Sequence, residues 1–167
     1  MVDGSRDLKV AAAHMQEVQD GISEVEREVN VKIAARDADR IQAVDWVLAM
    51  KRIDSAEAAG IDVSEARAQA YFTSGTLSLA VLQRFHGCGG GNNPSYEAEI
   101  EQWTKRTIDA LNMSVQIRPM PEAWFILALA WTIAGNKQYA IQCFQNAEAA
   151  DDEAVSIKAS KMIDRLL

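Results

Sequence analysis

Apolar residues recur along the first part of the chain at alternating steps of three and four: Leu8, Ala11, Met15, Val18, Ile22, Val25 and Val29. Glu, Gln, Asp and Arg fill most of the positions between them. This spacing gathers the apolar residues into one narrow stripe and predicts an amphipathic helix of about 25 residues. The repeat then meets Lys32, so the stripe spans only about three heptads, short for a self-sufficient coiled coil. Two uses fit such a stripe: packing on the protein's own body, or pairing with a helix of another chain. A second helix is predicted from Asp37 or Asp39 to Ala59, with Ile41, Val44, Leu48 and Ile53 as its apolar side and Gly60 as its C-terminal cap. Asp62, followed three residues later by Glu65, has the form of a capping box opening a third helix. Ala66, Ala70, Tyr71, Leu77, Val81, Leu82 and Phe85 mark its packing side, and a bend is predicted near Gly75.

The run HGCGGGNNPS, residues 86–95, is the one strong breaker. Ser95 then caps a fourth helix whose inward face is Ile100, Trp103, Thr107, Ile108 and Leu111. Residues 114–120 read as a connector constrained by Pro119 and Pro121. Helices from about Glu122, Lys137 and Asp152 complete the chain, and no stretch reads convincingly as a strand. With three prolines and nine glycines in 167 residues, the chain has few of the turns an all-β fold requires. The fold class expected is therefore all-α, with extra N-terminal helices over residues 1–60 and a helical domain over residues 61–167.

Residues 121–152 resemble a tetratricopeptide repeat, a 34-residue helix–turn–helix unit. The first helix offers Trp124, Leu127, Ala128 and Trp131; the second offers Ala140, Phe144 and Ala147. Ala134-Gly135-Asn136 supplies the turn between them. Small residues at 128 and 140 let two helix backbones approach, while the large ones fill the groove on either side. Ala128 where the family prefers Gly, Trp131 for Tyr and Asp152 for the closing Pro are departures that the packing tolerates. The resemblance implies antiparallel hairpins stacked as a short right-handed superhelix, with residues 153–167 as the capping helix, Val155, Ala159, Met162, Ile163 and Leu166 lying along one side of it.

In that family, ligands lie in a concave groove lined by the first helix of each repeat. The register places Glu122, Phe125, Leu129, Thr132 and Ile133 there. Ile126 and Leu129 stand where carboxylate-gripping repeats carry Asn, so an apolar groove for a peptide or amphipathic helix is implied. The function this implies is a protein-binding adaptor or scaffold. A small acidic secretion or assembly chaperone and a self-associating structural protein, dimeric through the N-terminal helix, are the alternatives.

Charge and candidate chemistry narrow this further. The net charge is −7 and no third of the chain is basic, which argues against nucleic acid and against an anionic membrane surface. Cys88 and Cys143 form no disulfide framework, and the N-terminus lacks the apolar core of a signal peptide, so a cytoplasmic protein is expected. The only cluster of metal-ligand types, His86 with Cys88, falls short of the four ligands a zinc site takes. Gly89-Gly90-Gly91 lacks the Lys-Ser/Thr of a phosphate loop. No acid–base or nucleophile constellation appears, so neither a cofactor, a metal nor an enzymatic activity is expected.

Overall fold

A computed structural model describes residues 4–87 and 96–167, the side chains of residues 4, 5 and 20–25 excepted. The predicted Ser95 cap, Cys88 and the three glycines that follow it, and the side chains of Ile22 and Val25 lie outside the described residues. Among those described there are seven α-helices and no strand: α1 (Gly4–Arg40), α2 (Trp46–Ala58), α3 (Ser64–Gly87), α4 (Glu97–Ile117), α5 (Pro121–Ile133), α6 (Lys137–Glu148) and α7 (Glu153–Leu166).

The break predicted near residue 37 is absent. Instead α1 runs into α2 through one π-helical turn, Ile41–Asp45, in which the N–H of Trp46 donates to the carbonyl of Ile41 five residues back. The backbone at Arg40, Asp45 and Trp46 stays helical throughout. The charged run from Arg36 to Arg40 contains no Gly or Pro, and charged residues continue a helix as readily as they end one. The result is a rod from Gly4 to Ala58 about 80 Å long at 1.5 Å per residue. The π turn also rotates the following register. Gln42, Trp46, Ile53 and Ala56 therefore turn toward α3, whereas Ile41, Val44 and Leu48, predicted as the packing side, are exposed.

Gly60 stops the rod as expected. Its φ is +84°, its N–H donates to Glu57 O (2.9 Å), and the N–H of Ile61 returns to Ala56 O (3.1 Å), the paired bonds of a Schellman cap. Asp62 does not form the capping box. Its carboxylate accepts from the backbone N–H (3.0 Å) and hydroxyl (2.7 Å) of Ser64, while Glu65 reaches Arg118 at 3.3 Å.

The helix is unbroken through Gly75, and a Cβ at this position would meet Leu111 Cγ at 2.6 Å and Cδ2 at 2.8 Å. The glycine marks the closest approach of α3 and α4. Ala68, Gly75, Ser78, Leu79, Leu82 and Phe85 make up most of the buried face of α3, so its small buried positions are 68, 75 and 78 where the sequence pointed to Ala66 and Ala70. The predicted connector is shorter too, because α4 continues to Ile117. Its last turns are held by Val115 in the core and by the buried Ser114 hydroxyl, which donates to Ala68 O at 2.9 Å.

From α3 onward each helix packs on its predecessor, with lesser contacts between α3 and α5 and between α5 and α7. Two cores result. One joins α4 to α7 around Leu111, Leu127, Phe144 and Ile163. The other joins α1, α3 and α4 through Val31, Ala38, Leu82, Phe85 and Trp103, so the lower part of α1 shares a core with the helices after residue 60.

Candidate functional site

The C-terminal hairpin supplies the first candidate surface. Ala134-Gly135-Asn136 closes α5 with the same paired bonds as Gly60: Gly135 N–H to Thr132 O (3.1 Å) and Asn136 N–H to Trp131 O (3.0 Å), with φ +80° at Gly135. The Asn136 side chain then accepts from Tyr139 N–H and caps α6. Leu127, Ala128, Ala140, Phe144 and Ala147 are buried where the two helices meet. Trp124 and Trp131 are half-buried against the same core, Trp131 stacked obliquely on Tyr139 at 5.0 Å between ring centroids. Asp152 caps α7 through the Val155 N–H, and Ala159 and Ile163 seal the end.

The five residues assigned to the groove divide unevenly. Phe125 is half-buried, its ring edge-on to Phe144 at 5.4 Å. Leu129 and Ile133 pack against the core formed by α1, α3 and α4. The Thr132 hydroxyl donates back to Ala128 O at 2.9 Å, and only Glu122 is exposed. Most of this face is thus covered by the chain's own helices. Ile133 and Trp131 also edge an open cleft of about 600 Å³ between α4 and α5, shared with Ile100, Thr104 and Ile108.

The N-terminal helix presents a different picture. Residues 6–19 are all exposed, and Val31 is the first buried side chain described along α1. Leu8 is 74% exposed, Met15 67% and Val18 50%, with Val10 and Val29 also open. The helix touches the body with Val31, Ala35 and Ala38. At about 100° per residue, Val31 lies roughly 200° around the axis from Val29, so the apolar stripe points away from the body. The stripe also continues where Lys32 seemed to end it. A step of four from Val29 reaches Ile33, which is exposed on the same side.

A polar knot fixes the rod to the body. Gln42, inside the π turn, donates to Ser78 Oγ at 2.7 Å and lies near Ser74 O and Oγ. Its carbonyl oxygen accepts from Arg106, which also pairs with Asp39 and lies 4.0 Å over the Trp103 ring. Nothing in the sequence flagged Gln42 or Arg106, since partners 64 residues apart leave no local pattern. Tyr96 adds a second tie, donating to Glu28 at 2.7 Å.

Reactive groups offer little. Cys143 is buried, and desolvation pushes its thiol up to about 11, keeping it protonated at neutral pH. Among the described residues no three His, Cys, Asp or Glu side chains are grouped to hold a metal ion, and no helix is long and apolar enough to cross a membrane.

No family model, curated protein or solved structure matches this chain.

Proposed function

We propose that this chain is a protein-binding module, a short tetratricopeptide-like helical stack that carries its docking element as a projecting N-terminal helix. The observation that supports this is the stripe Leu8, Met15, Val18, Val29 and Ile33, exposed on the side of α1 that faces away from the body. Large apolar side chains aligned and exposed in this way are uncommon on a protein that acts alone. A helix presenting apolar residues at steps of three and four pairs naturally with another amphipathic helix. The partner is accordingly another protein that offers such a helix, and an adaptor role follows from it. The groove first assigned to α5 serves in this reading as the joint between the stack and the rod.

Leu8, Met15 and Val18 are exposed and belong to neither core, so they can be changed without disturbing it. Leu8→Glu, Met15→Glu and Val18→Glu together should leave the melting temperature of the body within a degree or two. Chemical crosslinking in an extract of the native host, read by mass spectrometry, should show a helical partner joined to residues 4–33 of the wild type and missing from the triple variant. Equal crosslinking of both proteins, or crosslinks confined to α4 and α5, would overturn the proposal.

A further inference from the structure

The outward side of the rod does not end with α1. Val44 and Leu48 each stand two residues from Trp46, whose ring meets Tyr71 of α3, so both lie roughly half a turn around the axis from the body. Each is 51% exposed. Val29 and Ile33 stand in the same relation to the buried Val31. The apolar stripe therefore crosses the π turn and runs from Leu8 to Leu48, about 60 Å at 1.5 Å per residue. The body is attached along the opposite side, through Val31, Ala38 and Gln42, and leaves this length open to a second long helix.

Two charged interruptions break the stripe, and they are of opposite sign. Arg36 and Arg40 each stand two residues from the buried Ala38, which turns them outward. Glu26 lies one heptad before Ile33 and in line with it. All three side chains are exposed, and none forms an ion pair among the described residues. A parallel, in-register pair of such helices would set Glu26 against Glu26 and each arginine against itself. An antiparallel pair turned about a two-fold axis between Val29 and Ile33 does the reverse. Counting outward from that axis, Val29 of one copy meets Ile33 of the other, Val18 meets Val44, and Met15 comes within one residue of Leu48. The same count puts Glu26 opposite Arg36, with Arg40 one turn further on. The stripe thus complements itself in charge and in apolar positions when reversed, as an isologous interface must.

We propose that the partner of the rod is a second copy of this chain, paired antiparallel along α1 and α2 with Glu26 of each copy between Arg36 and Arg40 of the other. This rests on the docking reading of α1 and names its partner. Residues 14–48 of both copies overlap in this register, about five heptads, where the stripe of α1 by itself is short for a coiled coil. The two bodies end up on the outer sides of the paired rods, clear of each other.

Sedimentation equilibrium of the full chain over roughly 1–100 micromolar should show the mass rising toward twice 18.4 kDa. Glu26→Arg sets like charges against Arg36 and Arg40, and Arg36→Glu with Arg40→Glu sets them against Glu26. Each variant should stay helical by circular dichroism and dimerise at least roughly tenfold more weakly. Mixed in equal amounts, the two should recover the dimer, since every contact between unlike chains is then between opposite charges. Orientation is read by mild oxidation in a Cys88→Ser background, with Cys143 buried and out of reach. Val18→Cys and Val44→Cys chains should link to each other and neither to itself. A chain that stays monomeric, swaps without effect, a mixture that fails to recover, a self-linked Val18→Cys, or no mixed disulfide would each overturn the pairing. If residues 4–33 still crosslink to a different protein in a host extract after such a result, self-pairing alone is refuted. If that crosslink is missing as well, the docking role of the rod falls with it.

Discussion

Replacing Gly75 with alanine sets two well-known effects against each other at one atom. A glycine inside a helix costs about 1 kcal/mol relative to alanine, so on propensity alone Gly75→Ala should stabilise α3. The new methyl, however, would stand 2.6 Å from Leu111 Cγ and 2.8 Å from Cδ2, well inside contact distance. Leu111 is fully buried, and its own backbone nitrogen lies only 3.4 Å from the same point, so neither the side chain nor the helix can step aside freely. Overpacking of this kind costs about 1–3 kcal/mol, which exceeds the propensity gain. The expected net loss is about 1 kcal/mol, or a melting temperature lower by roughly 2–4 °C in a chain of this size. Urea unfolding followed by circular dichroism measures it, and a double-mutant cycle identifies its origin. Leu111→Ala alone should cost about 2–5 kcal/mol, and noticeably less in the Gly75→Ala background, because the added methyl then fills part of the hole. A stabilised Gly75→Ala, or strict additivity with Leu111→Ala, would mean that the two helices do not cross at this glycine.

Phe125→Ala with Leu129→Ala should lower stability by about 3–5 kcal/mol, because both side chains pack on the core, Phe125 against Phe144. A thermal melt that matches wild type would reopen this face of α5 as a partner groove. Burial raises the Cys143 thiol from 9.0 to about 11, so the folded state holds this proton more tightly than the unfolded chain does. The resulting stabilisation is complete below pH 9 and disappears as pH rises from 9 to 11, and Cys143→Ala should flatten that part of a urea-midpoint profile.

The two turns closed by glycine were legible because a left-handed residue is a local requirement: Gly60 and Gly135 stand where φ is positive, and little else fits. The small positions Ala128 and Ala140 were legible for a related reason, since two helices joined by a short turn must cross close to it. Gly75 shows the limit. A glycine within a helix can mark a bend or a close neighbour, and only the presence of Leu111 decides between them. The π turn was hidden because it answers to Gln42 meeting Ser78 and Arg106 from α3 and α4, a fit that no periodicity encodes. Whether Phe125 and Leu129 face open space depends on what lies over α5, which their spacing does not encode. Here α1 and α3 contribute to the core against which Leu129 packs.

The long rod also changes how the size of this protein must be measured. A compact chain of 167 residues has a radius of gyration of about 15 Å, hence a width of about 40 Å. A helix of about 80 Å extends well beyond such a body and drags through solvent as it tumbles. On a sizing column a single 18.4 kDa chain will therefore leave early and pass for an oligomer of compact chains. Elution volume confuses length with mass for this shape, so self-association has to be judged by scattered light or sedimentation equilibrium, which weigh the particle whatever its outline.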